Sequence, residues 1–145
     1  MRVFVTRIIP EEGLRILRER FDVDVFPHER PITAEELLDG VRDADALLCL
    51  LTDRITPAVL DAAPRLKVIA NYAVGYDNID VREAAERGIV VTNTPGVLTE
   101  ATADLAFALL IACARRIVEA DRWLRANAFP GWSPMLFRGV DLAGK

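Results

Sequence analysis

Residues 67–92 read KVIANYAVGYDNIDVREAAERGIVVT, and the order of textures in this stretch decides the fold. Lys67–Asn71 is a short apolar run of strand length. The loop Tyr72–Asn78 follows, with a single glycine at position 75. Asp80, with Glu83 three residues on, marks a helix start, and Gly88 marks its stop. Ile89–Thr92 (IVVT) is again a strand. Strand, helix and strand in succession build a parallel pair with the helix crossing over between them.

The same alternation extends in both directions. Toward the N-terminus, Ala46–Leu50 (ALLCL) is an all-apolar strand, and Thr56-Pro57 opens the helix after it with a cap and a proline at the first helical position. Pro64 ends that helix. Thr33-Ala34-Glu35-Glu36 is a capping box ahead of Leu37, Leu38 and Val41. Phe21–Phe26 (FDVDVF) alternates strictly, as a half-buried strand does, and Leu14, Leu17 and Phe21 precede it at helical spacing. Arg2–Thr6 (RVFVT) is the first strand. Toward the C-terminus, Asn93–Gly96 is a turn. Thr99 then caps a long helix running to about Ala126, whose segment Leu105–Ala114 is apolar all round and is expected to be buried on most sides. The fold class is therefore α/β: a flavodoxin-like, doubly wound, five-stranded parallel sheet of order 2-1-3-4-5, plus a long C-terminal helix.

Composition excludes several functions. The chain of 145 residues carries a net charge of −4, against a strongly basic nucleic-acid binder. The uncharged run Leu105–Ala114 is too short to cross a bilayer, which takes about 20 residues. The opening MRVFVTRIIPEEG has acidic residues too early for a signal peptide. Cys49 and Cys113 both lie in apolar runs and are expected to be buried thiols. No zinc-type spacing of Cys and His is present, so no metal is expected.

In a doubly wound sheet, ligands bind beyond the carboxyl ends of the strands. Topology alone selects the loops Thr6–Pro10, Leu50–Arg54, Tyr72–Asn78 and Asn93–Gly96. The first has no glycine to cradle a flavin phosphate and no acid for a phosphoacceptor site. The dinucleotide fingerprint G-x-G-x-x-G is absent throughout. In the third loop, backbone N–H groups of Val74 and Gly75 can converge on an anion without a basic side chain. The bland reading of the same loop is a tight strand-to-helix turn, with Asp77 and Asn78 as turn residues and Asp80 as the cap.

Beyond these physical readings, NYAVGYDNID (71–80), VVTNTPGVLTEATADLAFALLIACARR (90–116), W-x-P at 132–134 and the closing VDLAGK resemble the D-isomer-specific 2-hydroxyacid dehydrogenases. LLTDRIT (50–56) is most similar to their glyoxylate/hydroxypyruvate reductase branch. The resemblance implies NAD- or NADP-dependent reduction of 2-keto acids (glyoxylate, hydroxypyruvate) to D-2-hydroxy acids by a cytoplasmic homodimer, with no nucleic-acid or membrane partner. It implies residues 1–126 as a substrate-binding domain and 127–145 as a linker toward an absent Rossmann nucleotide-binding domain. The family's substrate-holding Arg and its Glu-oriented His would lie there, leaving no catalytic residue in this chain. The only histidine, His28, is expected to be a solvated loop residue.

By the same resemblance Val74 and Gly75 would bind the substrate carboxylate, Leu51 would line its small end, and Thr102 would face the nicotinamide of the cofactor. Trp132 resembles an aromatic that approaches a partner subunit's site. Parts of the helix 100–126 would be exposed and apolar, favouring self-association. The alternative is a free-standing carboxylate-binding or interaction module without catalysis.

Overall fold

The computed structural model describes residues 1–144; Lys145, the last residue of the VDLAGK string, lies outside the described residues. The chain divides into two compact units, Met1–Gly96 and the residues from Val97 onward.

The first unit holds one sheet of five parallel strands in the order β2-β1-β3-β4-β5, the expected order. β1 is Arg2–Val5, β2 Asp22–Val25, β3 Ala46–Cys49, β4 Val68–Asn71 and β5 Val90–Thr92. Register pairs Val3 with both Val23 and Ala46, Leu47 with Ile69, and Ile69 with Val91. Alternation along each strand then sends side chains to two faces. Phe4, Leu47, Cys49 and Ile69 enter a core shared with Leu37, Val41, Val59, Leu60 and Ala84. Val3, Val5 and Ala46 enter a second core with Ile9 and Leu14. Full burial of such side chains stabilises by roughly 1.5–3 kcal/mol each.

Four helices connect the strands: α1 Glu11–Arg18, α2 Ala34–Gly40, α3 Pro57–Ala62 and α4 Val81–Glu86. The Thr33 capping box forms in full, with Glu36 N–H donating to Thr33 Oγ1 and Thr33 N–H donating to Glu36 Oε2. Asp80 accepts from Glu83 N–H at 3.1 Å and caps α4. Gly88 then takes a left-handed φ of 70°, and the Ile89 N–H turns back onto Ala84 O at 2.9 Å. Thr56 stands at the cap position of α3 but makes no side-chain cap hydrogen bond. Pro57, which follows it, has no N–H to satisfy.

The second unit corrects four expectations. The long helix is two helices, α5 Thr99–Ala114 and α6 Ile117–Arg125, broken at Arg116 with a left-handed φ of 55°. No proline or glycine sits at the break. Its cause is tertiary: Val140 N–H donates to Ala114 O at 2.8 Å, and Gly139 lies so close to Ala114 and Arg115 that a Cβ there would overlap their backbone. Thr99 does not cap α5; Leu98 holds that position without a side-chain bond. No residue of α5 is buried, although its middle is apolar all round; within the unit α6 and the 139–140 segment pack against it. Cys113, on that helix, is exposed, whereas Cys49 in the sheet is buried.

Candidate functional site

The carboxyl ends of β1, β3, β4 and β5 carry the loops that topology selects. Their polar side chains are tied to one another rather than left to solvent. Thr6, just past β1, is fully buried, and its hydroxyl donates to the Asp53 carboxylate. Asp53 is also fully buried and accepts a second bond from Leu50 N–H at 2.8 Å. Arg7 Nη2 stands 3.9 Å from Asp53 Oδ1 and donates to Thr52 Oγ1 at 3.0 Å. A buried carboxylate is tolerated only when such groups compensate it. Arg7 Nε is buried with no hydrogen-bond partner. The Asp53 N–H donates to Leu50 O at 3.0 Å, so residues 50–53 close into a turn. Leu51 is left at its tip, 66% exposed.

The loop after β4 is organised by two asparagines. Asn71, buried at the end of the strand, donates through Nδ2 to Gly75 O at 2.8 Å and to Asn78 Oδ1 at 3.1 Å. Asn93, past β5, donates to Val74 O at 2.8 Å, and Thr94 N–H donates to Ala73 O at 2.9 Å. The carbonyls of Ala73, Val74 and Gly75 are thus all taken. The N–H groups of Val74 and Gly75 donate to no described residue. Two adjacent free donors on a loop held by its carbonyls suit a carboxylate oxygen pair.

Gly75 has no left-handed φ, and a Cβ there would meet only Asp77 Oδ2, at 3.8 Å. The backbone therefore does not demand glycine at this position. Asp77 is exposed, and Asp80 is the α4 cap. A cavity of about 130 Å³ between Asn71, Tyr72, Asn93 and Thr94 adjoins the loop. A larger hollow of about 380 Å³, between Arg54 and Arg82, is lined by none of Leu51, Val74 and Gly75.

Among the described residues neither the histidine nor the buried thiol supplies an acid or base to this edge. His28 is exposed, its ring edge-on to Phe26 with centroids 5.0 Å apart. The Cys49 thiol donates weakly to Asn71 Oδ1 at 3.4 Å. Burial, with the charge of Asp53, pushes that thiol up to about 12, so it is no nucleophile at neutral pH. Among the described residues no group of three or more His, Cys, Asp or Glu is placed to hold a metal ion.

The second unit carries the remaining residues of interest. Thr102 lies exposed in the first turn of α5, its N–H bonded to Leu98 O at 2.9 Å. Trp132 is 86% exposed. The Arg116 guanidinium pairs with Glu119 and lies over the Phe137 ring. One exposed hydroxyl does not make a dinucleotide site, and no glycine-rich phosphate loop joins a strand to a helix among the described residues. The residues present do not fit a whole nicotinamide cofactor. No described helix is long and apolar enough to cross a membrane.

Four polar residues that organise the edge, buried Thr6, Asp53 and Asn71 and half-buried Asn78, carry no sequence signal of that role. Asp53 and Asn78 look like turn residues, and Thr6 and Asn71 look like strand ends.

A parallel sheet of this order, with helices joining its strands, defines a doubly wound α/β domain. Residues 3–129 match the family described as D-isomer specific 2-hydroxyacid dehydrogenase, catalytic domain, and the chain belongs to that family. Glyoxylate reductase of Thermococcus kodakarensis is 56% identical over 148 residues, covering 99% of this chain. Glyoxylate reductase of Korarchaeum cryptofilum is 56% identical over 145 residues, again covering 99% of this chain. This chain spans 44% of the length of each of these relatives. Among solved structures, a Thermus thermophilus protein superposes with a TM-score of 0.90 at 50% identity, covering 98% of this chain and 46% of that one. An NADPH-dependent glyoxylate/hydroxypyruvate reductase of Sinorhizobium meliloti, solved with NADP and malonate, gives 0.73 at 36% identity, covering 99% of this chain and 43% of that one.

Proposed function

We propose that this chain is the substrate-binding portion of an NAD- or NADP-dependent reductase that converts small 2-keto acids, glyoxylate and hydroxypyruvate, to 2-hydroxy acids. The observation that carries the proposal is the pair of free N–H donors at Val74 and Gly75, on a loop whose carbonyls are all engaged. The names and identities of the relatives supply the substrate class. In this reading the two N–H groups hold the substrate carboxylate, and exposed Leu51 packs against its small end.

Thr102 would lie toward the nicotinamide end of the cofactor, whose chemistry when bound would be hydride donation. The nucleotide itself is held mainly outside this chain. Residues 1–126 serve as the substrate domain, and 127–145 lead toward the nucleotide-binding domain. The complete enzyme is a cytoplasmic homodimer. In this reading the substrate-holding Arg and the Glu-oriented His act from outside this chain, which binds and orients substrate without turning it over.

Replacing the matching part of the Thermococcus kodakarensis glyoxylate reductase by this chain tests the proposal. The chimera is expected to oxidise NADH or NADPH in a glyoxylate-dependent way. A folded chimera that binds the nucleotide yet is inert toward both glyoxylate and hydroxypyruvate would overturn it.

A further inference from the structure

Asn78 links the two loops that carry the proposed substrate contacts. Its Nδ2 group donates to Leu50 O and to Asp53 O, each at 3.1 Å, and these two carbonyls flank Leu51 in the turn after β3. Its Oδ1 accepts from Asn71 Nδ2 at 3.1 Å, and the same Asn71 group donates to Gly75 O at 2.8 Å. One continuous chain of side-chain amides therefore runs from the Leu51 turn to the Val74–Gly75 loop. A backbone bridge, Ile55 N–H to Asn78 O at 2.8 Å and Asp80 N–H to Ile55 O at 3.0 Å, fixes the far end of the first loop. Thr6 and Arg7 brace its near end from β1 through Asp53 and Thr52, and the Asn78 side chain ties the two carbonyls flanking Leu51 to the loop after β4.

We infer that the Asn71–Asn78 amide pair is a positioning element: it holds the apolar wall at Leu51 and the donors of Val74 and Gly75 at one spacing, and so sets the chain length of 2-oxo acid that the site admits. This rests on the carboxylate-binding reading of Val74 and Gly75. A two-carbon acid fits within a fixed gap, and a longer one must push the Leu51 turn outward against both Asn78 hydrogen bonds. Losing these two hydrogen bonds relaxes the discrimination about tenfold.

The test titrates the ¹⁵N-labelled chain with oxalate, as the two-carbon probe, and with 2-oxobutanoate, following the Val74 and Gly75 amides. In Asn78→Ser the preference for oxalate over 2-oxobutanoate is expected to fall about tenfold, while both probes still move the Val74 and Gly75 amides. A folded variant that weakens both probes equally, or keeps the preference, would show a merely structural role and overturn the inference. Should Asn78→Ser fail to fold, the unaltered chain decides. The Asn78 side-chain amide protons are expected to shift together with the Val74 and Gly75 amides on adding 2-oxobutanoate, and their staying fixed overturns the coupling. If neither probe moves the Val74 and Gly75 amides of the unaltered chain, the carboxylate reading itself fails, which is a separate result.

Discussion

The backbone N–H of Val140 donates to the carbonyl of Ala114 at 2.8 Å, and this contact ends α5. Ala114 O would otherwise accept the next bond of a continuing helix. Gly139 makes the approach geometrically open, because a side chain there would overlap Ala114 and Arg115. Gly139→Val is therefore expected to displace the crossing segment and let α5 and α6 fuse. Carbon chemical shifts of Arg116 read the outcome, moving from left-handed to right-handed helical values. Unchanged shifts at Arg116 would show that the break has another cause.

The two cysteines should differ sharply in reactivity. Cys113 is exposed, and Cys49 is buried with its thiol pushed up to about 12. At pH 8 only about one Cys49 in ten thousand is then a thiolate. Iodoacetamide is expected to label one site on the folded chain at pH 8 and two after unfolding. Two rapid labelling events on the folded chain would contradict the burial of Cys49.

Acid should remove one local contribution within a defined range. The Arg30 guanidinium, helped by the Thr33 N–H, lowers the Glu36 carboxyl from 4.5 to about 2. Since the folded-state value is the lower one, this contribution to stability is full above about pH 4.5 and fades as pH falls toward 2. Melting of the parent chain and of Glu36→Gln, compared from pH 7 to pH 2, is expected to show a lower Tm for the variant at neutral pH. The gap should close by about pH 2. A gap that is independent of pH would mean that the carboxylate charge contributes nothing.

Helix α5 leaves Leu105, Phe107, Leu109 and Leu110 at least half exposed. An apolar surface of this kind seeks a partner. Sedimentation of the chain is expected to give an average mass that rises with concentration. Leu105→Glu together with Leu109→Glu should suppress the rise. A mass that stays monomeric up to high concentration would contradict association through this helix.

The sheet order was legible because each strand is a short apolar run bounded by local signals. Thr33 with Glu36, and Asp80 with Glu83, act over three residues, and the capping interactions they promise are present. What escaped reading is non-local. Thr6 and Asp53 are 47 residues apart, and nothing in either segment announces their bond. Asn71 and Asn78 look like a strand end and a turn, yet together they brace the candidate site. The break at Arg116 is imposed by residues 139 and 140, and helix periodicity does not register it. Cys113 and the middle of α5 were misplaced for one reason: an apolar run reads the same whether its cover is its own core or another surface.

The central claim is that Val74 and Gly75 hold a carboxylate through their backbone N–H groups. Titrating the ¹⁵N-labelled chain with oxalate tests it most directly. Saturable shifts of the Val74 and Gly75 amides, accompanied by the Leu51 amide, are the expected result. Saturable shifts confined to the hollow between Arg54 and Arg82, or none at all, would contradict it.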